Sequence, residues 1–170
     1  MARITLTRLD RSDAAELIRT NLANRDHHAP WVHPFTDLAG FENRARTIAG
    51  GAHVCLVARE TASGSLVGVV ELSQIVLGSF CSAYLSYYGM AEFAGRGLMT
   101  EAVRAAIGVA FEEVGLHRLE ANIQPANRAS IALVRRLGFR LEGFSPRYLR
   151  IDGTWRDHER WALLADEVPG

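Results

Sequence analysis

The sequence contains no lysine. Its 19 basic residues are all arginine, balanced by 19 acidic ones. Codon bias explains such a replacement, but the chemical consequence holds either way. There is no side-chain amine to act as nucleophile, as acyl acceptor, or as the phosphate-binding lysine of a Walker loop. A formal net charge of zero argues against a general nucleic-acid binder, which needs a basic footprint, while leaving a local basic patch open; no direct nucleic-acid partner is expected. No apolar run approaches the ~18 residues of a membrane span. The opening MARITLTRLD has no apolar signal core, so no membrane contact and a cytoplasmic location are expected. Cys55 and Cys81 are the only cysteines. Both sit in apolar stretches and are expected to be buried small hydrophobes in a reducing compartment, not a disulfide.

What is present suits one domain over residues 1–170. A chain of 170 residues with 48% apolar content buries roughly 70% of its unfolded surface and needs no staples. Arg3 to Leu9 alternate as a strand. Asp13 and Glu16 have capping-box spacing, and Ala14, Leu17, Ile18 and Leu22 follow as a helical stripe. Asp26 to Asp37, with Pro30 and Pro34, is expected to be irregular. Leu38, Phe41, Ala45 and Ile48 mark a second helix, stopped by Gly50 and Gly51. His53 to Arg59 and Leu66 to Leu77 are expected strands joined by the turn Thr61–Gly64, and a further strand runs from Ala83 to Tyr88. Val103, Ile107, Ala110, Phe111 and Val114 mark a helix ending near Gly115. Leu119 to Ile123 is a strand. Asn127 opens a helix with Ile131, Val134 and Leu137 inward, closed by Gly138. Strands Phe139 to Ile151 and Thr154 to Leu164 flank the turn Asp152-Gly153. One strand–helix–strand unit inside hairpins predicts an α/β mixed sheet with helices on both faces.

Ala94-Gly95-Arg96-Gly97-Leu98-Met99-Thr100 joins a strand to a helix. Two glycines permit a sharp turn and close approach of an anion, and the free amides and dipole of a helix N-terminus favour negative charge. Thr100 is placed to cap the helix and Arg96 to add charge. A plain tight turn is the alternative. A dinucleotide fingerprint is a poor fit, because Thr100 stands at its third glycine and the loop lies mid-chain, although Glu120 has the expected offset.

The run from Gly95 to Ala102, then Asn127-Arg-Ala-Ser130, then Leu137-Gly138-Phe139, resembles the GNAT acetyltransferase superfamily. Within it the chain looks like the ribosomal-protein-alanine N-acetyltransferase (RimJ/RimL) branch, through Val67–Val70, Gly78–Phe80, Tyr84–Tyr87, Gly97–Met99, His117-Arg118 and Ile151–His158. The resemblance implies a twisted mixed sheet of about seven strands, splayed between strands 4 and 5, with acetyl-CoA in the gap. It implies cofactor contacts from Tyr88, Gly89 and Met90, with an N–H near Tyr88 or Gly89 polarising the thioester carbonyl. It places the diphosphate on Gly95, Arg96, Gly97, Leu98, Met99 and Thr100, and the pantetheine arm near Asn127 and Ser130. Ala94 stands where the family usually has Gln or Arg, and Met99 where a small residue is usual; Arg96 is available to compensate for Ala94.

For catalysis, many relatives carry a tyrosine seven positions after the helix-opening Asn; here that position is Val134. Ser130 is then the candidate hydrogen-bond donor to the sulfur, or simply part of a solvated helix start. Asn127 caps that helix in either case. Glu71 is the candidate base, against an ordinary exposed strand glutamate, with His158 and Tyr148 as backups. A weak base suffices for an α-amine. With pKa about 7.7–8.0 it is roughly 10–20% neutral at pH 7, against under about 0.1% for a lysine-type amine. Trp31, within a His- and Pro-rich segment, and Tyr148, Trp155 and His158 are candidates for the acceptor cleft. The histidines fit no zinc spacing, so no metal is expected. The expected activity is acetyl transfer by direct attack on a primary amine, foremost a protein N-terminus, by a monomer or homodimer. The alternatives are a small-molecule (antibiotic, amino acid or polyamine) N-acetyltransferase or a non-catalytic CoA-binding module.

Overall fold

Val54–Glu60 and Leu66–Val76 are nearly continuous apolar runs, which suits strands covered on both faces. The computed structural model, which describes residues 2–168, places them at the centre of one seven-stranded sheet. The strands are β1 (Ile4–Arg8), β2 (Val54–Glu60), β3 (Leu66–Val76), β4 (Ser82–Gly89), β5 (Arg118–Ile123), β6 (Arg140–Ile151) and β7 (Thr154–Leu164). Their spatial order is β1-β2-β3-β4-β5-β7-β6. All neighbours are antiparallel except β4 and β5. This is the mixed sheet that the alternation of elements predicts.

Helices α1 (Ala14–Ala23), α2 (Arg25–His28), α3 (Leu38–Ala49), α4 (Leu98–Gly108) and α5 (Arg128–Arg136) divide between the two faces. Glu71 and Ser86 are register partners, and Glu71 meets Arg44 of α3 at 2.9 Å, so that face carries α1–α3. Tyr87 points the opposite way and meets Ser130 of α5 at 2.7 Å. Met99 of α4 covers Gly68 and Gly89 on this second face. Ala102, Val103, Ala106 and Ile107 of α4 are buried in the common core, each Val or Ile side chain there contributing about 1.5–3 kcal/mol.

Four local details differ from the sequence expectation. The segment after α1 is not wholly irregular, since Arg25–His28 forms the one-turn helix α2. The capping box lies three residues earlier, with Asp10 and Asp13 bonding each other's turn, while Glu16 pairs with Arg59 at 2.6 Å. The helix after the glycine loop continues from α4 as a π-helical turn, Val109–Glu113. Cys55 is buried, and its thiol is pushed up to about 12, mainly by burial; Cys81 is only partly buried and lies 3.2 Å from the Gly115 carbonyl.

Met99 is bulky because two glycines make room for it. A Cβ on Gly68 would lie 2.4 Å from the Tyr88 carbonyl oxygen and 2.5 Å from the Met99 sulfur; one on Gly89 would lie 2.7 Å from Met99 Cγ. The backbone contact at Gly68 cannot relax by rotamer change. Gly68→Ala is therefore expected to destabilise the fold by about 1–3 kcal/mol through overpacking, read as a lower urea midpoint; an unchanged midpoint would contradict this packing.

Candidate active site

Parallel strands β4 and β5 stay together for only three register pairs: Ser82 with Arg118, Ala83 with Leu119, and Tyr84 with Glu120. Beyond these the strands separate, and backbone groups on their facing edges lose partners that a sheet interior would supply. A cavity of about 880 Å³ occupies the gap, extending from Trp31 and His28 on one side to the glycine loop, α4 and α5 on the other. Register fixes which amides face it. Met90 N–H donates to the Val67 carbonyl at 2.9 Å. Antiparallel strands alternate hydrogen-bonded and free pairs, so Tyr88 is turned to β3, whereas Tyr87 and Gly89 direct their amides away from it, toward the gap. The expected backbone role of Met90 is thereby displaced: its N–H is spent within the sheet.

The glycine loop has the geometry of an anion cradle. Gly95 and Gly97 adopt φ of +74° and +78°, which favour glycine, and a Cβ at Gly95 would meet nothing within 4 Å. Gly97, not Thr100, takes the N-cap position, and no side chain caps α4. The amides of Leu98, Met99 and Thr100 thus lack intrahelical acceptors. Arg96 does not reach across as a free cation. Its guanidinium pairs with Glu60 and lies over the Phe93 ring, 5.1 Å from its centroid. Arg3 of the neighbouring segment clamps the same loop, bonding Glu101 at 2.8 Å and the Arg96 carbonyl at 3.3 Å. Two other cavity-lining arginines, Arg104 and Arg136, have no ion pair among the described residues. The sequence reading missed both, although Arg104 follows Thr100 by one turn and Arg136 follows Leu133 at i+3, the spacings of one helical face.

At the mouth of the gap, Asn127 Oδ1 accepts the Ser130 amide at 3.2 Å and caps α5. Ser130 Oγ sits 2.7 Å from the Tyr87 hydroxyl, and both residues line the cavity. Burial pushes the Tyr87 phenol up to about 12, so it stays protonated. Tyr87 was also absent from the candidates. The alternation that turns Tyr88 toward α1–α3 turns Tyr87 toward α5, and this was the available signal.

Of the residues expected at the acceptor, Trp31 and His158 line the cavity, while Tyr148 and Trp155 do not. Trp155 is 58% exposed at the start of β7. Tyr148 lies against the His158 ring, with centroids 6.2 Å apart. Glu71 is outside the lining as well. Its Oε1 is held by Arg44 at 2.9 Å and by His53 at 3.1 Å, which ties α3 to the sheet.

His28 was not singled out individually, yet it is a wall of the cavity and 3% exposed. The Gly89 carbonyl, 3.1 Å away, can only accept, so Nε2 carries the proton and Nδ1 is a bare lone pair with no partner. Tyr88 meets the ring edge-on at 5.0 Å. Burial, aided by nearby His27 and opposed by the Gly89 bond, holds the imidazole below its ordinary value. The unfolded chain therefore binds a proton here more readily than the folded one. This contribution to stability is present above the ordinary histidine pKa of about 6.5 and is lost as pH falls through the lower folded value. Urea midpoints of the wild type should fall between about pH 7 and pH 5 more steeply than those of His28→Leu; parallel pH profiles would show that His28 does not titrate with unfolding.

Comparison with known proteins agrees with this geometry. Residues 3–140 match the acetyltransferase (GNAT) domain family. A [ribosomal protein uS5]-alanine N-acetyltransferase of Escherichia coli is 44% identical over 106 residues, covering 62% of this chain and 55% of that protein. The chain spans about half the length of the curated relatives that it matches first. Mycobacterium smegmatis RimJ, solved in complex with CoA-disulfide, superposes with a TM-score of 0.89 at 30% identity over 98% of this chain and 84% of that one. A spermidine N-acetyltransferase from Vibrio cholerae, solved with CoA and spermine, shares the fold at a TM-score of 0.84 and 23% identity, over 98% of each chain. With its splayed β4–β5 pair and a match over most of its length, the chain belongs to the GNAT acetyltransferase domain family.

Proposed function

We propose that the protein is an acetyl-CoA-dependent N-acetyltransferase whose acceptor is the α-amine of a protein N-terminus, such as that of a ribosomal protein, attacked directly in a ternary complex. The observation that carries this choice of acceptor is the charge of the cavity wall. Its one carboxylate among the described residues, Glu101, lies in the first turn of α4 and is ion-paired with Arg3. The end away from the phosphate loop offers His27, His28, Trp31, Val32, Asn122, Gln124 and His158. A polyamine keeps further ammonium groups after one is consumed, and these need anionic partners when desolvated. A peptide N-terminus brings one amine followed by neutral amides and small side chains, which suit imidazole, carboxamide and aromatic walls.

The residues fit acetyl-CoA, which supplies an activated acetyl thioester. The amides of Leu98, Met99 and Thr100 with the open turn at Gly95 hold the diphosphate, and Arg104 and Arg136 add charge that Arg96 has committed elsewhere. The unpaired edges of β4 and β5 receive the amide-containing arm. The Gly89 N–H, aimed into the gap, is the fixed donor for the thioester carbonyl, a role worth about 3–4 kcal/mol at best where charge develops. An α-amine, already about 10–20% neutral at pH 7, asks little of a base. Glu71 then serves α3 rather than the amine.

Thiol release from acetyl-CoA, measured against peptides beginning with Ala or Ser, spermidine, an aminoglycoside and free amino acids, tests this reading. The peptides should exceed spermidine by roughly tenfold or more in kcat/KM. A preference for spermidine or another small amine overturns the acceptor, and tight CoA binding without turnover of any acceptor overturns the activity.

For Glu71, Glu71→Gln should leave the low-pH limb of kcat/KM in place while lowering the urea midpoint, because it weakens the ties to Arg44 and His53. A displaced limb would return Glu71 to the amine.

A further inference from the structure

Position 134, where the resemblance leads one to expect a tyrosine, is a fully buried valine. A phenol nevertheless reaches the same helix from a different element. Tyr87 of β4 crosses the gap to α5 and places its hydroxyl 2.7 Å from Ser130 Oγ and 3.3 Å from the Ser130 carbonyl. We propose that Tyr87 is a positioning residue for the thiol leaving group, orienting the Ser130 hydroxyl so that its proton faces the sulfur. This rests on the acetyl-transfer reading above.

The hydrogen-bond inventory supports the orientation. Each hydroxyl has one proton and two lone pairs. Of its two acceptors on Ser130, Oγ at 2.7 Å is nearer than the carbonyl at 3.3 Å; with the Tyr87 proton on Oγ, the serine proton is released from Tyr87 and free to point into the cavity. The amide of Ser130 is already taken by Asn127, so the helix start has no other use for this hydroxyl. Burial keeps the Tyr87 proton in place, so Tyr87 acts as a donor and not as a base. The two residues also close the gap between β4 and α5 from opposite sides, which fixes the serine more firmly than a solvated helix terminus would.

The proton count closes without either hydroxyl being consumed. The lone pair of the neutral amine forms the N–C bond, the C–S bond breaks, and its electron pair stays on sulfur. Ser130 donates a hydrogen bond to that sulfur while charge accumulates. The proton that finally neutralises the thiolate is the one shed by the acetylated nitrogen, so both hydroxyls end as they began.

Tyr87→Phe keeps the ring and removes only the hydroxyl's bonds to Ser130 Oγ and to the Ser130 carbonyl. It should lower kcat roughly tenfold, with KM for acetyl-CoA and Kd for CoA unchanged, and Ser130→Ala should lower kcat by roughly 10- to 100-fold. The double variant should be no slower than Ser130→Ala alone, since two members of one unit do not add. A second readout needs no acceptor: the thiol of bound CoA, titrated by the ultraviolet absorbance of the thiolate, should ionise at lower pH in the wild type than in either variant. Equal thiol titration in all three proteins, or losses in kcat that multiply in the double variant, overturns the role of Tyr87. Turnover of a small amine but not of the peptides in the wild type, with the thiol shift intact, would instead count against the proposed acceptor and leave this assignment supported.

Discussion

Everything at the site follows from three register pairs. β4 and β5 are held together only at Ser82 to Tyr84 and Arg118 to Glu120, and then diverge inside a sheet that is otherwise continuous. Buried peptide groups without partners are costly, each by about 1–3 kcal/mol, so a sheet does not open in its middle unless something satisfies the exposed edges. The gap is therefore a binding element, complementary to a ligand that presents its own amides. β7 closes the far side by pairing with β5 along six residues, from Arg118 with Leu164 to Ile123 with Glu159. The divergence is thus confined to one seam and does not spread through the sheet.

That seam also decides which side chains have chemical roles. A strand alternates its faces, so two adjacent tyrosines have opposite fates. Tyr88 joins Asn21 and His28 against α1 and α2, while Tyr87 meets α5. The same alternation points the Gly89 amide into the gap and its carbonyl to His28. His28 thus bonds the Gly89–Met90 peptide, the one that follows the Gly89 N–H, and ties the α2 wall of the cavity to β4 through one hydrogen bond.

The strands and most helices are legible in the sequence because apolar period, glycine and cap residues act locally. The glycine loop is legible for the same reason, since positive φ at Gly95 and Gly97 is a property of the backbone at those positions. What escapes is set by partners distant in the chain. Glu71 and Ser86 lie side by side across β3 and β4, yet only one lines the cavity, because Arg44 and His53 hold Glu71 aside. Arg96 sits in the glycine loop by sequence, but Glu60, 36 residues away, takes its charge. Tyr148 and Trp155 are near the site in chain order and outside the cavity in space, because the β6–β7 hairpin extends beyond the seam. Met99 looks oversized until Gly68, on another strand, is seen to vacate its volume.

The pairing of Arg96 and Arg3 shows how a protein with arginine as its only strong base divides labour. A guanidinium is a planar, multi-donor group suited to holding structure in place. Arg3 spans Glu101 and the Arg96 carbonyl, and Arg96 spans Glu60 and Phe93. Together they fasten the glycine loop to the β1–β2 edge of the sheet. Charges spent this way cannot also neutralise an incoming anion without releasing the loop. On the proposed reading, recognition falls to the backbone amides, held rigid at no further entropic cost, with the field supplied by Arg104 and Arg136, which have no ion pair among the described residues. Ala94, where the family resemblance leads one to expect Gln or Arg, is tolerable on the proposed reading, because Arg3 and Glu60 maintain the loop's shape from outside and Arg104 and Arg136 of α4 and α5 line the same cavity.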